Sequence, residues 1–268
     1  MSRAIAIVLA LTLASCALMP SEPRRSILVN GNAISYVDNA GSAPTVVFEA
    51  GLGDGLRVWN EVYEQVATSA GVFAYSRPGY ETGKRQPDRD GQRTAKESAR
   101  LLRDTLEHSK TPAPYVLVGH SIGGLYTLEF ARSYPHLVAG LVLVDARLPG
   151  FTEQCIASGV RPCSPPNCAI LLAPPQVADE LRGIRQSEAE APSPADIGSI
   201  PTTLIVATKP PKGGPAAAQP IWLEVQRQFA DAMSDGRMVI AQGAGHYIQR
   251  DAPEMVVDEI ERMLSRVR

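Results

Sequence analysis

Apolar residues along the chain follow two rhythms. Blocks such as "TVVFEAG", "GVFAYSRPG", "YVLVG", "GLVLVDA", "TTLIVAT" and "RMVIA" are apolar at nearly every position. Apolar runs without alternation are the pattern of strands covered on both faces. Between them lie segments with apolar positions every three or four residues: Trp59 to Ala70, Thr94 to His108, Gly124 to Ser133, "IWLEVQRQFADAM" and "PEMVVDEIERML". That spacing predicts amphipathic helices. Ahead of them, "SILVNG" and "AISYVD" flank the turn Asn30-Gly31-Asn32 and predict a hairpin. Around Pro253, Asp251 and Glu254 predict an N-cap and capping box for the closing helix. Strands alternating with helices imply an α/β fold, a mostly parallel sheet covered on both faces.

One region breaks this alternation. Residues 148–199 hold three cysteines, Cys155, Cys163 and Cys168, and the proline clusters "CSPPNC", "LAPPQ" and "APSPAD". The segment lies between two sheet strands and reads as a cap or lid over the sheet's C-terminal edge, helical around Gln176 to Arg185. Long insertions of this kind serve as lids or binding elements. The core is then residues 26–147 and 200–268. Three thiols allow one internal bridge, and their spacing matches no zinc motif. Which pair bonds is left open.

A chain of 268 residues suits one large domain with an insertion. At 44% hydrophobic and 20% charged it has an ordinary globular composition, and a net charge of -2 without a basic run gives no support for nucleic-acid binding. The first residues stand apart. "MSRAIAIVLALTLASC" has Arg3, an apolar run from Ala4 to Leu13, then small residues, which is the pattern of a signal peptide over residues 1–15. The run is too short to span a bilayer. Its end, Leu13 to Cys16, resembles a bacterial lipobox. That resemblance implies cleavage before Cys16, lipid on Cys16, a tether over residues 16–25, and an exported lipoprotein held at the cell envelope. Ala17 in place of Asp favours the outer membrane and periplasm of a Gram-negative host.

The candidate chemistry centres on "YVLVGHSIGGLYTLEFA", Tyr115 to Ala131. Gly119-His120-Ser121-Ile122-Gly123 fits G-x-S-x-G between a buried strand and a helix. A tight strand-to-helix turn exposes Ser121 above the sheet at the positive end of that helix. Serine is a weak nucleophile at neutral pH; it needs a base in contact, and the base needs an orienting carboxylate. The chain has four histidines. His108 lies near a helix C-terminus, where a cation is favourable. His136 sits in a loop, and His120 in the turn is directed to packing, away from Ser121. His246, in the loop "AQGAGHYIQRDAPE" after the last strand, is the expected base.

The order of elements, with "GHSIGG", "FEAGLGDG", "SRPGY" and "GAGHYIQ", resembles the α/β-hydrolase superfamily from Ile27 to the C-terminus. Within it the chain is most similar to small, capped, esterase-like members whose third core strand ends in E-A-G. The resemblance implies an eight-stranded sheet, the order Ser, acid, His, and acyl transfer to water. Most members carry the acid after the penultimate strand, but here that strand runs into "ATKPPKGG" without a carboxylate. Asp145, ending "LVLVD", takes the role, as in relatives such as haloalkane dehalogenases that place the acid at this earlier strand end. Asp231 and Asp235 stand in reserve. The two backbone N–H donors for the oxyanion are expected from Ile122 and, by position in the motif, Leu52.

The expected function is cleavage of carboxylic esters by Ser121, His246 and Asp145 through an acyl-enzyme, without metal or organic cofactor. The alternatives are an acyltransferase, thioesterase, lactonase or peptidase on the same fold, or a non-catalytic ligand-binding module. The expected partners are a small ester or acyl substrate and a membrane, reached through Cys16. The residues leave the substrate's identity and the oligomeric state open. Glu49 is expected to pair with Arg77, Asp54 to serve a turn or helix cap, and Trp59 and Trp222 to fill the core.

Overall fold

The computed structural model describes residues 24–39, 41–81, 91–161, 163–164, 167–210 and 215–268. The signal-peptide and lipobox reading, including Cys16, falls outside the described residues.

Eight strands form one sheet: β1 (Arg25–Val29), β2 (Asn32–Asp38), β3 (Thr45–Glu49), β4 (Val72–Ser76), β5 (Tyr115–His120), β6 (Val138–Val144), β7 (Thr202–Ala207) and β8 (Gly236–Ala241). Their order is β1-β2-β4-β3-β5-β6-β7-β8. The N-terminal hairpin is antiparallel and joins β4 antiparallel; every pairing from β4 to β8 is parallel. This is the mostly parallel eight-stranded sheet that the resemblance implies. The order of connection reverses at β3, with β4 on one side of it and β5 on the other, and in such sheets ligands usually bind beyond the C-terminal strand ends at this point.

Burial explains the continuous apolar runs. Along β5, Tyr115 and Leu117 join one core while Val116 and Val118 join the other. Each strand feeds two hydrophobic layers, because successive side chains point to opposite faces. The first layer is closed by α2 (Ala95–Ser109), α3 (Ile122–Ser133) and α8 (Gln219–Ala232) through residues such as Leu102, Leu128 and Phe229. The second is closed by α1 (Asn60–Val66) and α10 (Pro253–Val267) through Val62, Ile260 and Leu264. Each such aliphatic side chain contributes about 1.5–3 kcal/mol by leaving water. A capping box starts α2, with Thr94 accepting from the Glu97 N–H and Glu97 from the Thr94 N–H.

Two local expectations are corrected, and a third is extended. The stretch from Trp59 to Ala70 is helical only over α1, after a 3-10 turn at Leu56–Trp59. No capping box starts α10: its N-cap is Ala252, without a side-chain hydrogen bond, because the short helix α9 (Ile248–Asp251) runs into it. Residues 148–199 hold four helices: α4 (Phe151–Ala157), α5 (Asn167–Leu172), α6 (Pro175–Glu190) and α7 (Pro194–Ile197). Cys155 and Cys163 form a disulfide, and Cys168 is free and exposed.

Candidate active site

Ser121 sits between β5 and α3 with φ 54° and ψ -124°, a conformation that L-residues rarely adopt. Neighbouring backbone holds the bend. The Ser121 N–H donates to the Val144 carbonyl at 3.2 Å, and its own carbonyl accepts from Arg147 N–H at 2.8 Å. The turn packs closely on the end of β3: a Cβ at Gly123 would stand 2.7 Å from the carbonyl oxygens of Glu49 and Ala50. Only glycine permits that approach.

Asp145 follows β6 directly and has φ 39°. Its Oδ1 accepts from the Ala207 N–H and from Trp222 Nε1–H, each at 3.0 Å. Its Oδ2 lies 2.6 Å from His246 Nδ1. The opposite ring nitrogen, His246 Nε2, lies 3.0 Å from Ser121 Oγ. Ser121, His246 and Asp145 therefore form one hydrogen-bonded line, spanning three strand ends. A buried carboxylate with a proton on Nδ1 leaves Nε2 free to accept the serine proton.

His246 reaches this point because its loop crosses the end of β7. The Ala244 carbonyl accepts from Lys209 N–H at 3.1 Å, and Gly243 N–H donates to Thr208 Oγ1 at 2.9 Å. Asp251, expected to cap α10, instead accepts from Gly245 N–H at 2.7 Å and ties the loop from its far side. His120 points away from Ser121, as expected, but does more than pack. Its Nε2–H donates to the His246 carbonyl at 2.8 Å. Burial pushes the His120 pKa well below the ordinary 6.5, and the nearby His246 adds to the shift. The ring is neutral.

Leu52 lies in the turn after β3, and Ile122 opens α3. The two segments touch: a Cβ at Gly51 would meet His120 Nδ1 at 2.7 Å and Ser121 Cβ at 3.3 Å. Beside them opens a cavity of about 820 Å³ lined by Leu52, Ser121, Lys209, His246, Tyr247 and Arg250, with Asp54 and Asp251 also on its wall. Asp54 thus belongs to the pocket. The N-cap of the turn after it is Gly55, with no side-chain bond. Burial raises the Asp54 pKa, against a hydrogen bond to Tyr247 and the charge of Arg250.

Trp222 was read as core, yet its indole is half-buried and serves Asp145. Its place on α8 gave no sign of this, because the contact depends on β6 and β7 being neighbours. The reserve acids are elsewhere: Asp231 pairs with Arg227 at 3.2 Å on the exposed face of α8, and Asp235 pairs with Arg266. Glu49 does pair with Arg77, at 2.6 Å.

Known proteins are similar to this chain in sequence or fold. A thermophilic esterase from Thermogutta terrifontis superposes with a TM-score of 0.66, at 23% identity, covering 91% of this chain and 99% of the esterase. The uncharacterized protein YqjL of Bacillus subtilis is 24% identical over 239 residues, 87% of this chain and 88% of its own. An esterase of Mycobacterium tuberculosis is 34% identical over 117 residues, 44% of this chain and 38% of its own. Residues 46–259 match the sequence profile of the Alpha/beta hydrolase family, and the chain belongs to that family.

Proposed function

We propose that the protein is a serine hydrolase that cleaves carboxylic esters through an acyl-enzyme. The observation that carries this reading is the line Ser121 Oγ, His246 Nε2, His246 Nδ1, Asp145 Oδ2, with steps of 3.0 and 2.6 Å, opening on the cavity. Ser121 Oγ attacks the ester carbonyl carbon while His246 Nε2 takes its proton. The resulting oxyanion lies between the N–H groups of Ile122 and Leu52. Collapse expels the alcohol, which takes the proton back from His246. Water, deprotonated by the same nitrogen, then attacks the acyl-enzyme and releases the acid and free Ser121. Asp145 stays ionised throughout and stabilises the imidazolium. Each backbone donor to the oxyanion is worth about 3–4 kcal/mol of barrier.

Charged Asp54, Lys209, Arg250 and Asp251 share the cavity wall beside Ser121 with apolar Leu52 and Pro210. We also propose export and a lipid on Cys16. The Cys155–Cys163 disulfide supports an oxidising compartment. Metabolic labelling with a fatty acid, lost in Cys16→Ala, tests that part.

The test of the chemistry needs no known substrate. A fluorophosphonate probe should phosphonylate Ser121, located by peptide mass spectrometry, and His246→Ala should abolish the labelling. An unlabelled but folded wild-type protein would rule out an activated serine.

A further inference from the structure

Between the sheet edge and the cap lies a buried charge cluster that the hydrolytic cycle does not use. The side chain of Arg77, in the turn after β4, is 1% exposed; those of Glu49 and of Glu180 in α6 are 0%, and that of Arg93 is 2%. Arg77 and Arg93 balance Glu49 and Glu180, as burial of charge requires. Glu180 is the cap's contribution. Its carboxylate accepts from Arg77 Nε at 2.7 Å and Nη2 at 3.1 Å, and from the Tyr80 hydroxyl at 2.9 Å.

Arg77 Nη1 also donates to Glu49 Oε1 at 2.6 Å, and the other contacts of Arg77 and Tyr80 reach the loop that holds Leu52. Arg77 Nη1 donates to the Ala50 carbonyl and Nη2 to the Gly51 carbonyl, each at 2.7 Å. The Tyr80 hydroxyl accepts from the Gly53 N–H at 3.2 Å. Three backbone groups in residues 50–53 are thus fixed by two side chains; Glu180 holds both of these, and Glu49 holds Arg77 as well. The Gly51 carbonyl and the Leu52 N–H share one planar trans peptide, so they point in opposite directions. Pinning the carbonyl on Arg77 turns the Leu52 N–H away from the guanidinium. On its other flank the loop abuts the serine turn, where a Cβ on Gly51 would lie 3.3 Å from Ser121 Cβ.

We propose that Glu180 is a positioning residue supplied by the cap: through Arg77 and Tyr80 it aims the Leu52 N–H at the developing oxyanion. This rests on the serine-hydrolase reading above. It makes residues 148–199 part of the catalytic geometry. Glu180→Gln removes the charge and one acceptor oxygen, so the peptide at 51–52 gains freedom to rotate.

Fluorophosphonate inactivation separates this role from a merely structural one. The dissociation constant of the initial probe complex reports pocket shape. The rate of phosphonylation reports stabilisation of the oxygen that gains charge at phosphorus. Glu180→Gln should lower the phosphonylation rate about 10- to 100-fold, part of what a lost oxyanion donor costs, with the dissociation constant changed less than threefold. Tyr80→Phe, a milder change that keeps the Arg77 contacts, should lower the rate about 3- to 10-fold. It carries the test if Glu180→Gln does not fold by near-UV circular dichroism. Unchanged phosphonylation in the folded variants, or an effect on the dissociation constant alone, overturns the inference while leaving the serine reading intact. Absence of labelling in the wild type overturns both.

Discussion

At Asp145 the three contacts decide what a substitution does. Asp145→Asn preserves shape, and the Asn oxygen can still accept from Ala207 N–H and Trp222 Nε1. Its amide nitrogen then faces His246 Nδ1, which must accept instead of donate. The proton moves to Nε2, and the base is lost. Turnover of an activated ester should fall about 10⁴-fold with the fold retained, and an activity near wild type would exclude Asp145 from the triad. Trp222→Phe deletes one donor to a charged acceptor, worth about 1.5 kcal/mol, so about tenfold in rate. His120 carries a pH prediction. Its folded pKa is depressed and its unfolded pKa is near 6.5, so below pH 6.5 the unfolded chain binds a proton that the folded one refuses. Its contribution is fully present above pH 6.5 and is lost as the pH falls, at up to ~1.4 kcal/mol per unit. Urea midpoints at pH 7.5 and 5.5 should therefore separate the wild type from His120→Gln, the variant losing less on acidification. Equal losses would mean that the ring is protonated in the fold.

Elements show why part of this site is legible in the residues and part is not. Ser121 and Asp145 each end a strand whose apolar run is unbroken, and strand ends at one sheet edge are neighbours whatever the loops do. His246 follows the last strand and inherits the same edge. Trp222, Tyr247 and Asp54 are different: their relation to the site depends on which strands adjoin and how loops cross them. In residues 148–199 the sequence predicts a helix only around Gln176 to Arg185, because proline clusters interrupt the rest. Two of these prolines, Pro175 and Pro194, stand at helix starts, where a missing N–H costs nothing. Asp251 has the right spacing to cap α10, but α9 occupies that place and the carboxylate turns to Gly245. The closeness of α3 to β3 gives a prediction at this scale. Gly123→Ala places a methyl 2.7 Å from two carbonyl oxygens of rigid backbone. The helix must withdraw, at a cost of about 1–3 kcal/mol, and Ser121 moves with it. Chemical denaturation should show that loss, together with slower phosphonylation at Ser121. A variant as stable and as reactive as the wild type would mean that the serine turn does not depend on this contact.

Among the described residues, the molecule is a sheet whose two faces are sealed by helices, with residues 148–199, the expected cap, packed on the α2–α3–α8 layer. The cap is not an independent unit, because Phe151, Cys155, Cys163 and Ile197 belong to the same apolar cluster as Leu102, Leu128 and Phe229. Residues 148–199 also reach Asp145 through Trp222. Phe151 in α4 packs its ring edge against Trp222 at 4.8 Å, and Trp222 donates to Asp145. Cys155 is in the same helix, one turn on, and its bond to Cys163 closes a loop with a sequence separation of 8. A loop of that size limits the unfolded chain by about 2.5 kcal/mol in the chain-entropy account. Because the cap shares the sheet's core, that loss should appear in global unfolding and not as a separate cap transition. The Cys155→Ala/Cys163→Ala protein should melt as one transition, ~5–10 °C below the wild type. Its ester turnover should fall by less than that of Trp222→Phe, since Phe151 keeps its packing. Cys168→Ser, which removes the free exposed thiol, should leave both unchanged. A low-temperature transition confined to α4–α6 would show instead that the cap unfolds alone. In that case Glu180 would leave the sheet edge with it, and the hold on residues 50–53 would depend on temperature before the fold does.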